Sequence, residues 1–476
     1  MSEKGSPLDQ VLASLLDRRR ARNQLRRLTT VPNGTVDFSS NAYLSLSTQS
    51  VVQQAFLARL EEAASTTAAA DSSSRPSLLG SGGSRLLDGN SAYAESLECT
   101  LAAFHGAQAG LLFNSAMDAN VGLFSCVPQP GDAIVYDALI HASVHDGIRL
   151  SRASRRLPFA HSRIWEESRA AGTAGLSSDT SSPAGESLEA VLRSLLQGPE
   201  GALFQSGERN VFIAVEGVYS MDGDVAPLVD IVDCVERCLG QGNGYVIVDE
   251  AHSTGIFGDC GRGLVCELGL ERRVWARVLG FGKAVGCAGG MVLCSSTTRS
   301  YLINYARTLI YTTAMAFPSL ASIETAYDFL ATGQARPLLS HLRLLVQETH
   351  RLLLAACARH CPPAEVLRVS IEQPRSPIIP VFTSKPRDLA AHCQRSGFMV
   401  RPIVAPTVPK GDERIRVCLH AGNTMGEVEG LVAAVEAWLS VILKSGAQCD
   451  ESTALEEETQ DQTPQLAPPN REKAKI

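Results

Sequence analysis

The sequence contains no apolar run long enough to cross a bilayer and no excess of positive charge, which excludes a membrane-spanning helix and argues against nucleic acid as a partner. Its formal net charge is −7. It also lacks the paired cysteine spacing of a zinc site, because its 13 cysteines are scattered through apolar segments such as Val417-Cys418-Leu419 and Val292-Leu293-Cys294. The tightest group, Cys357, His360 and Cys361, reads as a helix carrying small apolar thiols, so no metal is expected. An odd cysteine count without a signal peptide indicates a reducing compartment. What is present is ordinary globular material: 476 residues, 45% hydrophobic and 20% charged, suit one large α/β domain and a smaller one.

The chemistry concentrates between Tyr245 and Gly290. Val246-Ile247-Val248 is a short β-branched run of the kind that fills a sheet covered on both faces, and Asp249-Glu250-Ala251-His252 follows at its carboxyl end. Ligands of open α/β sheets bind at that end. A Gly-rich turn and a second apolar run, Val274 to Leu279, lead to Gly280-Phe281-Gly282-Lys283, where a lysine among glycines has no evident structural task. An acid that keeps a pyridine nitrogen protonated and a lysine whose amine reacts with an aldehyde are what pyridoxal phosphate requires; Asp249 and Lys283 fit those roles. Upstream, the apolar run Gly110 to Phe113 leads into a helix opened at Ser115, where backbone N–H groups and the helix dipole can hold a phosphate. Further strands are expected at Ala133 to Tyr136, Val211 to Val215, Ile378 to Phe382 and Arg416 to Leu419, with helices over Leu8 to Leu28, Ser187 to Leu196 and Pro318 to Leu354.

Several segments resemble the α-oxoamine synthases, a group of pyridoxal phosphate enzymes. They are Phe38-Ser39-Ser40-Asn41-Ala42-Tyr43-Leu44, Gly80-Ser81-Gly82-Gly83-Ser84-Arg85, the block Glu216 to Asp224, Asp249-Glu250-Ala251-His252 and Phe281-Gly282-Lys283. The likeness runs from about Leu16 to about Leu443. It implies the α/β architecture of fold type I, the aspartate aminotransferase-like fold. An N-terminal helix and arm over 1–45 would precede a large mixed-sheet domain over 46–300 and a small α+β domain over 301–444. It also implies condensation of an amino acid with an acyl-CoA, losing CO2 and CoA, and alanine with pimeloyl-CoA, the pair of the biotin-forming branch, is preferred. Another acyl thioester or amino acid in secondary metabolism is the alternative. An inactive partner subunit is a further one, which retention of Asp249 and Lys283 opposes.

By the same resemblance Ala116 and Met117 form the phosphate turn, His141 stacks on the cofactor ring and assists catalysis, and Ser220 and His252 flank the phenolic oxygen. Arg26, Asn41, Thr407 and Arg416 would reach the substrate, Arg416 by holding the amino-acid carboxylate. Thr312 and Thr313 lie in a block that enters the site of a partner subunit, which implies a homodimer. The chain departs from the pattern in two places. Gly280 replaces a threonine whose hydroxyl binds phosphate, so Gly280→Thr is expected to tighten the cofactor, and Val404 stands where an arginine is common, leaving Arg401 to compensate.

Two stretches, the Ala/Ser/Thr-rich 61–77 and the Ser/Gly/Ala-rich 165–184, read as loose surface insertions. Residues 445–476 are acidic, Pro/Gln-rich and without periodicity, so a disordered tail is expected. It ends in Ala474-Lys475-Ile476, similar to the peroxisomal Ser-Lys-Leu address, which points to a peroxisomal location with the cytosol as the alternative. The Arg-rich N-terminus has the look of a mitochondrial presequence, against which Glu3, Asp9 and Asp17 stand.

Overall fold

The computed structural model describes residues 6–22, 24–69, 77–166 and 185–459. In chain order its first strands are β1 (Val36–Asp37), β2 (Ala109–Phe113), β3 (Ala133–Asp137), β4 (Arg155–Phe159), β5 (Val211–Glu216), β6 (Gly244–Asp249), β7 (Ala276–Gly280) and β8 (Gly290–Cys294). All but β1 form a seven-stranded sheet ordered β2-β8-β7-β6-β5-β3-β4, in which β8 alone runs antiparallel to its neighbours. Every residue of β5, β7 and β8 is buried. Both faces of the sheet are therefore covered, and alternate side chains divide between two cores: Ile213 and Val215 enter one, Phe212 and Ala214 the other. Parallel alignment brings the carboxyl ends of β3, β5, β6 and β7 to one edge, and with them Asp137, Glu216, Asp249 and Gly280.

The smaller sheet contains β9 (Arg368–Val369), β10 (Ile378–Phe382), β12 (Arg401–Ile403) and β13 (Arg414–Cys418), antiparallel in the order β12-β13-β10-β9. Between them in sequence, β11 (Phe398–Met399) pairs in parallel with β1, so the N-terminal arm is tied to the C-terminal part of the chain.

The helices α1 (Pro7–Ala21), α2 (Ser50–Ala69), α3 (Ala92–Phe104), α4 (Ala116–Cys126) and α5 (Ala142–Leu150) show where the sequence reading needs correction. Helix α1 starts in a capping box between Ser6 and Asp9 but ends at Ala21, short of Leu28, so Arg26 lies in the extended segment beyond it. The insertion expected over 61–77 is helical as far as Ala69, since its Glu and Ala content favours helix whatever the periodicity. Residues 70–76 and 167–184 lie outside the described residues. The helical region expected over Pro318 to Leu354 consists of two helices, Phe317–Ala331 and Arg336–His360, parted at Gly333, whose φ is +76°. The first of these packs on α2 and α3, with Arg59 ion-paired to Glu324 and Asp328, so it stays with the larger sheet. The last helix, Met425–Thr459, runs fifteen residues past Lys444. That overturns the expectation of disorder as far as Thr459: Ala and Glu propensity sustains a helix there without an apolar stripe. Residues 460–476, with Ala474-Lys475-Ile476, lie outside the described residues.

Candidate active site

The edge where the parallel strands end is closed by the N-terminus of α4. Ser115 caps that helix through its Oγ, which accepts from Asp118 N–H at 3.0 Å. Gly290 lets the helix start approach β8 closely, because a Cβ there would lie 2.5 Å from Ala116 N. The free N–H groups of this turn and the positive end of the helix dipole form an anion seat. Ala116 is half-buried and Met117 is 50% exposed, so the seat is a backbone feature. Asn114 Nδ2 donates to Thr312 Oγ1 at 3.2 Å and to Thr313 O at 3.0 Å, which places both threonines beside the same turn of their own chain.

Gly280 has no room for a larger residue. A Cβ there would meet Ala251 Cβ at 2.8 Å and Ala116 Cβ at 3.4 Å. The expected gain from Gly280→Thr is corrected accordingly: the substitution overpacks the junction of β6, β7 and α4, at a cost of about 1–3 kcal/mol. It should lower the melting temperature and raise the cofactor dissociation constant in a fluorescence titration.

Asp249, at the end of β6, is buried and held by two donors, one to each oxygen: Asn120 Nδ2 at 2.7 Å to Oδ2 and Ala251 N–H at 2.9 Å to Oδ1. Asn120 Nδ2 also reaches Ser143 Oγ at 3.0 Å, and Ser143 Oγ lies 2.8 Å from His141 Nδ1. His141 is the N-cap of α5, so the helix start fixes its imidazole. Burial lowers its pKa, opposed by Asp249 and reinforced by Lys283.

Lys283 follows β7 and faces the same acids. Its ammonium is held below the usual range by burial, with Asp249 and Glu216 opposing and Arg416 reinforcing the shift. Glu216 is the cross-strand partner of Asp249 and is 3% exposed. Its carboxyl is pushed well above the ordinary range, first by burial and then by Asp249, against the attraction of Lys283. Of the two, Glu216 is the acid whose charged form is disfavoured, by burial and then by its neighbour. Arg416, on β13, donates to Ser220 O at 2.9 Å and to Asn41 Oδ1 at 2.8 Å. No carboxylate pairs with it among the described residues, and its charge is left for a ligand.

A family model for class I and II aminotransferases matches residues 33–435. The chain belongs to that family. Within it, the α-oxoamine synthase group is where its relatives lie. It is 48% identical over 450 residues to an 8-amino-7-oxononanoate synthase of Emericella nidulans, covering 94% of this chain and all of the relative. It is 35% identical to the aminoacyl transferase sphA of Aspergillus fumigatus, over 89% of this chain and 86% of that one. Among solved structures, the Sphingomonas wittichii serine palmitoyltransferase superposes with a TM-score of 0.71 at 24% identity, over 91% of this chain and 98% of that chain, a likeness of fold.

The cofactor of this aminotransferase family is pyridoxal phosphate, and the residues fit it. Asp249 keeps accepting capacity for a protonated ring nitrogen, the α4 turn offers N–H groups to the phosphate, and Lys283 offers an amine of lowered basicity. Asn120 Oδ1 is buried without a partner, so the wall beside Asp249 has unused polarity.

Not every expected residue joins this group. Arg26 is exposed in the arm, and Thr407 is exposed in the turn after β12. Arg401 donates to Thr29 Oγ1 at 3.1 Å, so its guanidinium is engaged by the N-terminal arm. Residue-by-residue reading missed Asn120, Ser143, Glu216 and the phenol of Tyr43, since each acquires its role from neighbours distant in sequence.

His161 acts at the rim. It bridges Asp137 at 2.9 Å and Asp224 at 2.8 Å. Burial opposes its charge, but the hydrogen bonds and attraction of the two carboxylates prevail and raise its pKa to about 10. A raised folded value means the stabilisation is complete below 6.5 and is lost as pH climbs through about 10. The difference in melting temperature between the wild type and His161→Gln should therefore be largest below pH 6.5 and shrink toward pH 10.

Proposed function

We propose that this protein condenses L-alanine with pimeloyl-CoA to give 8-amino-7-oxononanoate, CoA and CO2, a step of biotin formation. The relative at 48% identity supports this reading, and the observation that carries it is Arg416, a cation held by oxygen acceptors in the lysine cleft with no acid paired to it among the described residues. Such an arginine can hold the amino-acid carboxylate. When bound, pyridoxal phosphate supplies an electron sink conjugated to the substrate's α-carbon. Lys283, with its lowered pKa, takes the α-proton as general base, and Asp249 holds the proton on the ring nitrogen. His141 faces the same space and stabilises the oxyanion that forms when the thioester carbonyl is attacked.

The test is to supply purified protein with alanine and a panel of acyl-CoAs and to follow CoA release. Pimeloyl-CoA should turn over fastest, and equal turnover of acetyl- or palmitoyl-CoA would reject the assignment. The 34–35% likeness to the sphA proteins makes another acyl thioester the reading to which that result would point. Arg416→Leu should raise KM for alanine by roughly 10–100-fold, the worth of one charge-assisted pair, while KM for the acyl-CoA changes little.

The same proposal includes a homodimer. Leu8, Val11, Leu12, Leu15 and Leu16 of α1 are 47–65% exposed, an apolar stripe that a second subunit would cover. Sedimentation at twice the chain mass is the expected result. It also includes peroxisomal residence through Ala474-Lys475-Ile476. A fluorescent protein carrying residues 461–476 should collect in puncta, and diffuse signal with and without the last three residues would refute the address.

A further inference from the structure

Tyr43 is fully buried, and its phenol oxygen lies between two groups, Asn41 Oδ1 at 3.1 Å and His252 Nδ1 at 2.8 Å. A third contact decides where the phenol proton goes. The Asn41 atom that faces Tyr43 also receives Arg416 Nη2 at 2.8 Å. Arginine only donates, so the atom it meets is the amide oxygen and not the amide nitrogen. A carbonyl oxygen only accepts, so the phenol donates to Asn41. The phenol has a single proton, and its lone pairs are then what His252 meets; the hydrogen in that contact belongs to His252 Nδ1. A neutral imidazole carries one N–H, so Nε2 of His252 is bare.

We infer that Tyr43 is a positioning residue that fixes His252 in the Nδ1–H tautomer, so that the ring edge away from the phenol offers a lone pair. His141 is set the opposite way. The backbone N–H of Ser143 donates to its Nδ1 at 3.2 Å, which leaves the hydrogen of a neutral ring on Nε2. The two histidines of the cleft are thus one acceptor and one donor. A group bonded to His252 Nε2 has to bring a hydrogen, as a protonated phenol or an amine does. A group bonded to His141 Nε2 has to bring an oxygen acceptor.

The surroundings preserve this arrangement. Burial, then the charges of Lys283, Arg416 and His141, keep the pKa of His252 well below its ordinary value, so it stays neutral. Burial, followed by Cys418 and against Arg416, raises the pKa of the Tyr43 phenol far above its ordinary value, so it keeps its proton. The tautomer is set by the chain alone. This deepens the reading of the cleft as a pyridoxal phosphate site, yet its test is made on cofactor-free protein, so the two can fail separately.

The experiment is a long-range proton–nitrogen correlation spectrum of the full-length, cofactor-free protein labelled with ¹⁵N in its imidazoles. His252 is assigned by the signal lost in His252→Gln. The expected wild-type pattern is that of an Nδ1–H ring. Tyr43→Phe keeps the aromatic body and removes only the hydroxyl; it should shift His252 toward Nε2–H by about fivefold, the factor carried by one hydrogen bond of ordinary net strength. An Nε2–H pattern for His252 in the wild type overturns the inference, whether or not the variant folds. So does a folded Tyr43→Phe protein whose His252 pattern is unchanged.

Discussion

Lys283→Ala should lower turnover by roughly 10⁴-fold, because it removes both the covalent anchor of the cofactor and the base that takes the α-proton. The visible absorbance of the anchored cofactor should vanish, and borohydride should no longer fix cofactor to the protein. The fold has little at stake in this residue. Lys283 sits in the turn between β7 and β8, outside the ladder of either strand, so the melting temperature of the cofactor-free variant should stay close to that of the wild type. A band that persists through dialysis and borohydride treatment would sink the assignment of Lys283 as the anchor.

Asp249→Ala should behave differently. Its task is to keep a proton on the ring nitrogen, so kcat is expected to fall by about 10²–10⁴-fold while cofactor content changes little. The structure limits the collateral damage: Asn120 Nδ2 loses Asp249 Oδ2 but keeps Ser143 Oγ, and the α4 turn is untouched. Glu216 remains beside the vacated position but points its carboxyl from a different strand. Parallel losses of cofactor and of activity would instead mark Asp249 as a structural acid.

These two residues were legible in the sequence for a physical reason. A strand buried on both faces is an unbroken apolar run, and its carboxyl end is where the run stops at a charge, which is how Val246 to Asp249 announces itself. The fold type implied by the resemblance is the one the chain adopts. Less legible was whatever depends on two distant segments meeting. The space at Gly280 is set by Ala251 and Ala116, the direction of Arg401 by Thr29, and the raised pKa of Glu216 by its burial and then by Asp249 on the next strand. The helix past Lys444 escaped for the opposite reason: it rests on local propensity, with no apolar period to betray it.

The pairing of β1 with β11 has a consequence for the order in which the chain is made. Asn41 and Arg416, which meet at 2.8 Å, are 375 residues apart. At the ~5–20 residues per second of ribosomal synthesis, about 20–75 s separate their appearance. Late in that interval the nascent chain contains its helix start, its acid and its lysine, while β1 still lacks its strand partner β11 and Asn41 still lacks Arg416. A premature stop after β8 but before Arg416 would therefore leave the cofactor floor encoded in full, with no arginine to grip an amino-acid carboxylate above it.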